Sequence, residues 1–100
     1  MSYRLDIHPD ALADIETAGV WYEERQTGLG TGFSREVRRA INTLPANPLK
    51  YRLRDRRRGV RWFLPLRFPY RILYRVQADL ITVVAVIHAA RHDREWRRRL

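Results

Sequence analysis

The spacing of the apolar residues changes partway along this 100-residue chain, and that change limits the folds open to it. In roughly the first 45 residues, apolar side chains recur at three- and four-residue intervals, which is typical of amphipathic helices. From residue 60 onward they alternate with polar residues or form short continuous runs, which is typical of strands. The pattern predicts helices packed on one face of a sheet.

Two helices are predicted in the first half. The first opens at His8-Pro9-Asp10, because proline and an acidic residue are both favoured in a first helical turn. Its predicted buried stripe consists of Leu12, Ile15, Gly19 and Tyr22, with Ala11 and Ala18 beside them. The second carries Phe33, Val37, Ile41 and Leu44 on one face and ends at Pro45 and Pro48. The glycine-rich segment 28–32 is interpreted as the turn of an antiparallel helical hairpin.

Four strands are predicted, over residues 3–7, 60–64, 70–76 and 80–87, with a tight hairpin at 77–79. The last strand is apolar on both faces, so we expect it inside the sheet. Residues 50–59 are predicted to be a basic loop, and residues 93–100 a short helical tail. The predicted fold is therefore one α+β domain over residues 1–100, with the order β-α-α-β-β-β and a small, mostly antiparallel sheet.

Charge is distributed unevenly along the chain. Residues 1–50 hold six basic and seven acidic side chains, a net charge of −1, whereas residues 51–100 hold fourteen and four, a net charge of +10. Nearly all of the basic residues are arginine, which suits bidentate contacts to phosphate or carboxylate. This asymmetry predicts an acidic or polyanionic partner.

Several function classes are excluded or not expected. The chain has no cysteine, which excludes disulfides, thiolate zinc sites and a cysteine nucleophile, and is compatible with a cytoplasmic location. No secretory signal and no membrane span are expected from its apolar runs. The three histidines lack ligand spacing, and the glycines lack the context of a phosphate-binding loop. We therefore expect no metal and no cofactor.

An arginine-bearing sheet face is the first candidate site. In strand 70–76, Arg71 and Arg75 alternate with apolar residues, and in strand 60–64, Arg61 and Phe63 do the same. If the helices cover the other face, these four side chains share one surface suited to phosphate or an acidic peptide. The alternative is a solvated outer face on which arginine stems cover apolar surface.

His88 and Arg91, after the last predicted strand, are the second candidate site. A histidine there could act as acid or base near neutral pH. The alternative, which the sequence favours, is a histidine that forms a hydrogen bond within its loop.

Several short motifs, taken together and in order, resemble the RelE/ParE family of type II toxin–antitoxin toxins, also called plasmid stabilisation proteins. They are Trp21-Tyr22-Glu23, Gly28-Leu29-Gly30 with Phe33, Pro45 to Pro48, Val60-Arg61, Phe68-Pro69-Tyr70-Arg71, and Val84 to His88 with Arg91 and Trp96. The resemblance implies a cytoplasmic bacterial toxin that arrests growth and is neutralised by a cognate antitoxin. It also implies contact with operator DNA only through the antitoxin complex.

The branch of the family decides the chemistry. RelE-like members are ribosome-dependent mRNA endonucleases. The resemblance matches Arg71 and Arg91 to two arginines of RelE, and His88 is a third candidate catalytic residue that could substitute for a missing one. The lysine pair of RelE falls on Arg61 and Phe63, and its terminal tyrosine has no counterpart near Trp96, so the catalytic set is incomplete.

ParE-like members inhibit DNA gyrase by protein contact, and the sequence favours this branch, which would not be an enzyme. The residues expected to contact the antitoxin or the target are Arg61, Phe63, Arg71, Arg75, Arg91 and Trp96. An inactive homologue that serves only in the antitoxin or operator complex is the remaining alternative.

Overall fold

Five strands and three helices make up the computed structural model, which describes residues 2–100. The strands are β1 (Arg4–Ile7), β2 (Leu53–Asp55), β3 (Val60–Phe63), β4 (Tyr70–Gln77) and β5 (Leu80–His88), and the helices are α1 (Pro9–Arg25), α2 (Leu29–Asn42) and the four-residue α3 (Arg94–Arg97). A 3₁₀ turn, Leu44–Ala46, follows α2. The α+β prediction and its order of elements are confirmed, with one added strand, β2.

The strands form one sheet in the order β1-β5-β4-β3-β2. Only β1 and β5 pair in parallel, and the other pairs are antiparallel. The apolar strand β5 therefore lies inside the sheet, as predicted. The helical hairpin packs on one face through a core that includes Ile15, Phe33, Ile72 and Tyr74.

The glycine-rich segment was expected to be a turn, but α2 begins inside it, at Leu29. The carboxylate of Glu23 accepts hydrogen bonds from the backbone N–H groups of Gly28 (2.8 Å) and Gly30 (3.0 Å), which otherwise have no partner at a helix start. Within residues 28–32, only Gly28 has a left-handed backbone, with φ = 88°. A Cβ atom at Gly30 would overlap the carbonyl oxygen of Gly19, so this glycine lets the two helices approach closely.

The predicted stripe of α1 was partly wrong. Ala11, Ile15 and Ala18 are buried, whereas Leu12 is 39% exposed, because the helix turns the 11–15–18 face toward the sheet. The exposed apolar side chains Val20 and Trp21 lie on the same helix as Leu12. Apolar surface is therefore left uncovered on α1.

A β-bulge explains why β5 is apolar on both faces. Leu73 pairs with Ala85 and Tyr74 with Val83, so Val84 is an extra residue in β5. Val83 packs in the helix-side core, whereas Val84 and Ala85 both pack on the opposite face. That opposite face carries a second, smaller core that is covered by Trp96.

Candidate functional site

The expected four-residue arginine face does not form. Arg61 pairs with Tyr74 across the ladder and Phe63 with Ile72, so both lie on the helix side of the sheet. The Arg61 guanidinium donates to the carbonyl oxygen of Tyr51 (2.6 Å). Phe63 is 8% exposed and stacks on the Tyr51 ring, with a centroid distance of 4.2 Å. The prediction that these two residues share a face with Arg71 and Arg75 is wrong.

Arg71 lies on the face away from the helices, where it is 6% exposed and held at several points. Its Nη1 donates to Oδ1 of Asp93 and its Nη2 to the carbonyl oxygen of Arg91, both at 2.7 Å. The guanidinium also lies 4.9 Å from the centre of the Trp62 ring. A cation bound in this way ties the segment after β5 to the sheet and is not free to meet a substrate.

Asp93 is a residue of this site that the sequence reasoning missed. The hydrogen bond from Arg71 lowers the pKa of the Asp93 carboxyl, and the hydrogen bond from the Trp96 indole N–H lowers it further. Burial raises this pKa and so opposes part of the effect. Asp93 therefore carries a negative charge at neutral pH. It stands 22 residues from Arg71, and no local sequence pattern links the two.

Trp96 was expected to contact a partner, but it is fully buried in the free chain. Its ring packs with Val60, Leu73, Val84, Ala85 and Ile87. The indole Nε1 donates to Asp93 (3.4 Å). Trp96 thus closes the centre of the face that was expected to be an open arginine-bearing surface. Arg75 remains half-buried at one end of that face, and its Nε atom has no hydrogen-bond partner.

His88 and Arg91 lie together on the other side of the sheet. His88 pairs with Tyr70 across the ladder, and both line a cleft of about 400 Å³ with Arg91, Tyr22 and Trp21. The Nδ1 atom of His88 accepts a hydrogen bond from the backbone N–H of Ala90 (3.0 Å), which is a bond within its loop. The Arg91 side chain is 60% exposed.

Tyr70 is poorly suited to proton transfer in this cleft. Burial raises the pKa of its phenol, the neighbouring Tyr22 raises it further, and Arg91 opposes both. The phenol therefore stays protonated near neutral pH and cannot serve as a base.

The sheet separates Arg71 from the other two candidate catalytic residues, His88 and Arg91. Arg71 points toward Trp62 on one face, while His88 packs edge-on to Tyr70 on the other. The side chains of Arg71 and His88 therefore face different surfaces of the chain. Within residues 2–100 the structure also has no group of three or more His, Asp or Glu residues placed to hold a metal ion.

A second ion pair that the sequence did not reveal closes the edge of β5. Arg99 and Asp14 form two hydrogen bonds (2.6 and 2.9 Å) across 85 residues of sequence. Asp14 also accepts from the backbone N–H of Val86, and Arg99 donates to the carbonyl oxygen of Val84. The pair satisfies backbone groups that lie past the end of β1 and would otherwise be an open sheet edge.

Two solved structures share this fold. A chain from the chromosomal ParDE toxin–antitoxin system of P. aeruginosa is 20% identical, with a TM-score of 0.74, over 86% of this chain and 95% of that chain. The E. coli toxin RelE, as an arginine-to-alanine double mutant in the free state, is 18% identical, with a TM-score of 0.67, over 90% of this chain and 86% of that chain. No curated protein sequence matches the chain.

The two comparisons show that this chain has the fold of the ParE and RelE chains. A family model described as the ParE toxin of the type II toxin–antitoxin system parDE matches residues 5–93. The chain belongs to the ParE toxin family of type II toxin–antitoxin systems. No helix in the described part, residues 2–100, is long and apolar enough to cross a bilayer.

Proposed function

We propose that this chain arrests bacterial growth by binding DNA gyrase, and that it does not cleave mRNA. The observation that carries the proposal is the position of Arg71, which is buried and bound to Asp93 and to the Arg91 carbonyl. A ribonuclease needs an acid, a base and free cations around one phosphate. Here the buried candidate cation, Arg71, lies on the opposite face of the sheet from the candidate base, His88, and only Arg91 shares the cleft with His88.

The positions that correspond to the RelE lysine pair support the same reading. Arg61 donates to a backbone carbonyl, and arginine is too basic to accept a proton readily. Phe63 packs in the core and has no proton to exchange. Membership of the ParE family favours gyrase as the target, and a cytoplasmic location follows from that target.

A cognate antitoxin is the second proposed partner, and the exposed apolar surface of α1 is the place it would cover. Leu12, Val20 and the small residue Gly19 line a groove of about 720 Å³ between α1 and α2. Val20 is 56% exposed, which is a large apolar exposure for a free surface. An apolar antitoxin segment in this groove would remove that surface from water.

Expression of the chain alone in a bacterium tests the gyrase proposal. We expect filamentation and a DNA-damage response before translation falls, and restored growth when the neighbouring antitoxin gene is co-expressed. Codon-phased 5′ ends in mRNA on translating ribosomes would instead identify a RelE-like nuclease. Normal growth at high soluble expression would identify an inactive homologue that only binds the antitoxin.

A further inference from the structure

The basic loop and the C-terminal segment meet on one surface. The arginine surface consists of Arg54, Arg56, Arg57, Arg94, Arg97 and Arg98, all of which are exposed. The Arg97 guanidinium lies 3.7 Å from the Asp55 carboxylate, and this contact joins the β2–β3 hairpin to α3. Residues 54–58 and 94–98 together hold seven arginines and two carboxylates, a net charge of +5.

Asp55 holds the hairpin that presents half of this surface. Its carboxylate accepts from the backbone N–H of Arg58 (2.9 Å) and from the Arg58 guanidinium (3.1 Å). The Asp55 side chain is only 9% exposed. The turn that carries Arg56 and Arg57 is therefore fixed by hydrogen bonds, unlike an ordinary solvated run of charge.

The composition of the arginine surface distinguishes a nucleic acid from a protein partner. Of the seven exposed large apolar side chains in residues 2–100, none belongs to residues 54–58 or 94–98. Protein interfaces have apolar cores in which charged residues other than arginine are depleted, whereas nucleic-acid interfaces are strongly positive and polar throughout. Three of the seven, Leu12, Val20 and Trp21, lie on α1, whose five acidic residues and one arginine give it a net charge of −4.

The aromatic residues beside this surface favour a duplex over a single strand. Trp96 is fully buried, and the Trp62 ring already contacts the guanidinium groups of Arg54 (5.2 Å) and Arg71 (4.9 Å). Single-strand binding needs open aromatic faces on which bases stack, and neither indole offers one.

We propose that the arginine surface binds the phosphate backbone of double-stranded DNA directly, without sequence preference. This departs from the expectation that the chain reaches DNA only through its antitoxin. This binding to DNA does not require gyrase, so the proposal is independent of the proposed toxic activity. It would place the chain on the same DNA that its target occupies.

The test is fluorescence anisotropy of a labelled DNA duplex of about 20 base pairs, measured at a series of salt concentrations. The logarithm of the binding constant falls linearly with the logarithm of the salt concentration, and each phosphate contact contributes about 0.9 to the steepness of that fall. The triple variant Arg56→Gln, Arg57→Gln, Arg94→Gln should lower the slope by about 2–3 and weaken binding at least tenfold near 0.1 M salt. The control triple Arg35→Gln, Arg38→Gln, Arg39→Gln on α2 changes the net charge equally, and should stay within about twofold of the unmodified chain. Thermal unfolding by circular dichroism verifies that both variants fold.

Equal losses in the two triples would show that only net charge matters and would overturn the assignment to this surface. Absence of duplex binding by the unmodified chain at low salt would overturn it as well. Tighter binding of single-stranded DNA than of the duplex would contradict the proposal that duplex DNA is the ligand. Tighter binding of a poly-glutamate peptide than of DNA would assign the surface to an acidic protein instead.

Discussion

Arg71 and Asp93 form a 2.7 Å ion pair that fastens the chain after β5 onto the face of β4 opposite the helices. Because the second guanidinium nitrogen of Arg71 binds the Arg91 carbonyl, the arginine fixes two points of the same segment. Trp96 follows directly and fills the centre of that face. Arg71, which the resemblance to RelE makes a catalytic candidate, thus closes a surface in this structure.

Removal of this ion pair should cost stability. We expect Arg71→Ala to lower the free energy of unfolding by about 2–3 kcal/mol, less than for a fully buried pair because Asp93 is about one-third exposed. Arg91→Ala is the matched control, since its pair with Glu95 is mostly exposed and should be worth about 0–1 kcal/mol. Urea unfolding measures both, and equal small losses would show that Arg71 does not hold the segment.

Acid should weaken the same contact. The hydrogen bond from Arg71 lowers the pKa of Asp93 in the folded chain, so the unfolded chain binds a proton more readily. This contribution to stability is present above the unfolded pKa of about 4 and is lost as pH falls through the lower folded pKa. The unfolding free energy of Asp93→Asn, measured from pH 6 down to about pH 2, should therefore fall less steeply than that of the unmodified chain. Parallel curves would contradict the assignment.

Gly30 and Gly32 provide a matched pair of substitutions within α2. A methyl group at Gly30 would collide with the backbone of Gly19, so Gly30→Ala should destabilise the fold by about 1–3 kcal/mol. A methyl group at Gly32 meets no atom within 4 Å, so Gly32→Ala should stabilise the helix by up to about 1 kcal/mol. Thermal unfolding of the two variants distinguishes close helix packing from simple helix propensity. A change in stability of the same sign for both variants would be inconsistent with a close approach of α1 and α2 at Gly30.

The exposed apolar groove on α1 leads to a prediction about the antitoxin. Val20→Asp places a charge on the surface proposed for antitoxin binding and should abolish neutralisation while toxicity remains. Ala46→Asp adds the same charge at an exposed position in the 3₁₀ turn and should leave neutralisation intact. Co-expression growth assays check both variants, and full rescue of the Val20 variant by the antitoxin would exclude this groove.

Periodicity predicted the longer helices and strands, but it missed the three-residue strand β2 and did not give the face on which every strand residue lies. The alternation in β4 placed Ile72 and Tyr74 correctly toward the helices, because one side of that strand is clearly more apolar. In β3 both Trp62 and Phe63 are large and aromatic, so the pattern reads equally well in either direction. The register between β3 and β4 decides which of the two aromatic residues faces the helices. The sequence of the loop between these strands does not predict that register.

The interactions that define the candidate site are contacts between distant parts of the chain. Asp14 and Arg99 are 85 residues apart, and Arg71 and Asp93 are 22 apart. Each of these residues looks like an ordinary surface charge in its local sequence. Only the folded topology shows that they close a strand edge and a sheet face. For that reason the sequence predicted an open arginine face where the structure has a closed one.

We propose that this chain of the ParE family acts on gyrase and has no ribonuclease activity. The most direct measurement is a supercoiling assay with purified gyrase and relaxed plasmid, run beside a ribosome-programmed mRNA cleavage assay on the same protein. We predict that the chain blocks supercoiling at concentrations close to those of gyrase, that the message stays intact, and that added antitoxin restores supercoiling. Cleavage of the message within codons, with supercoiling unaffected, would contradict the account.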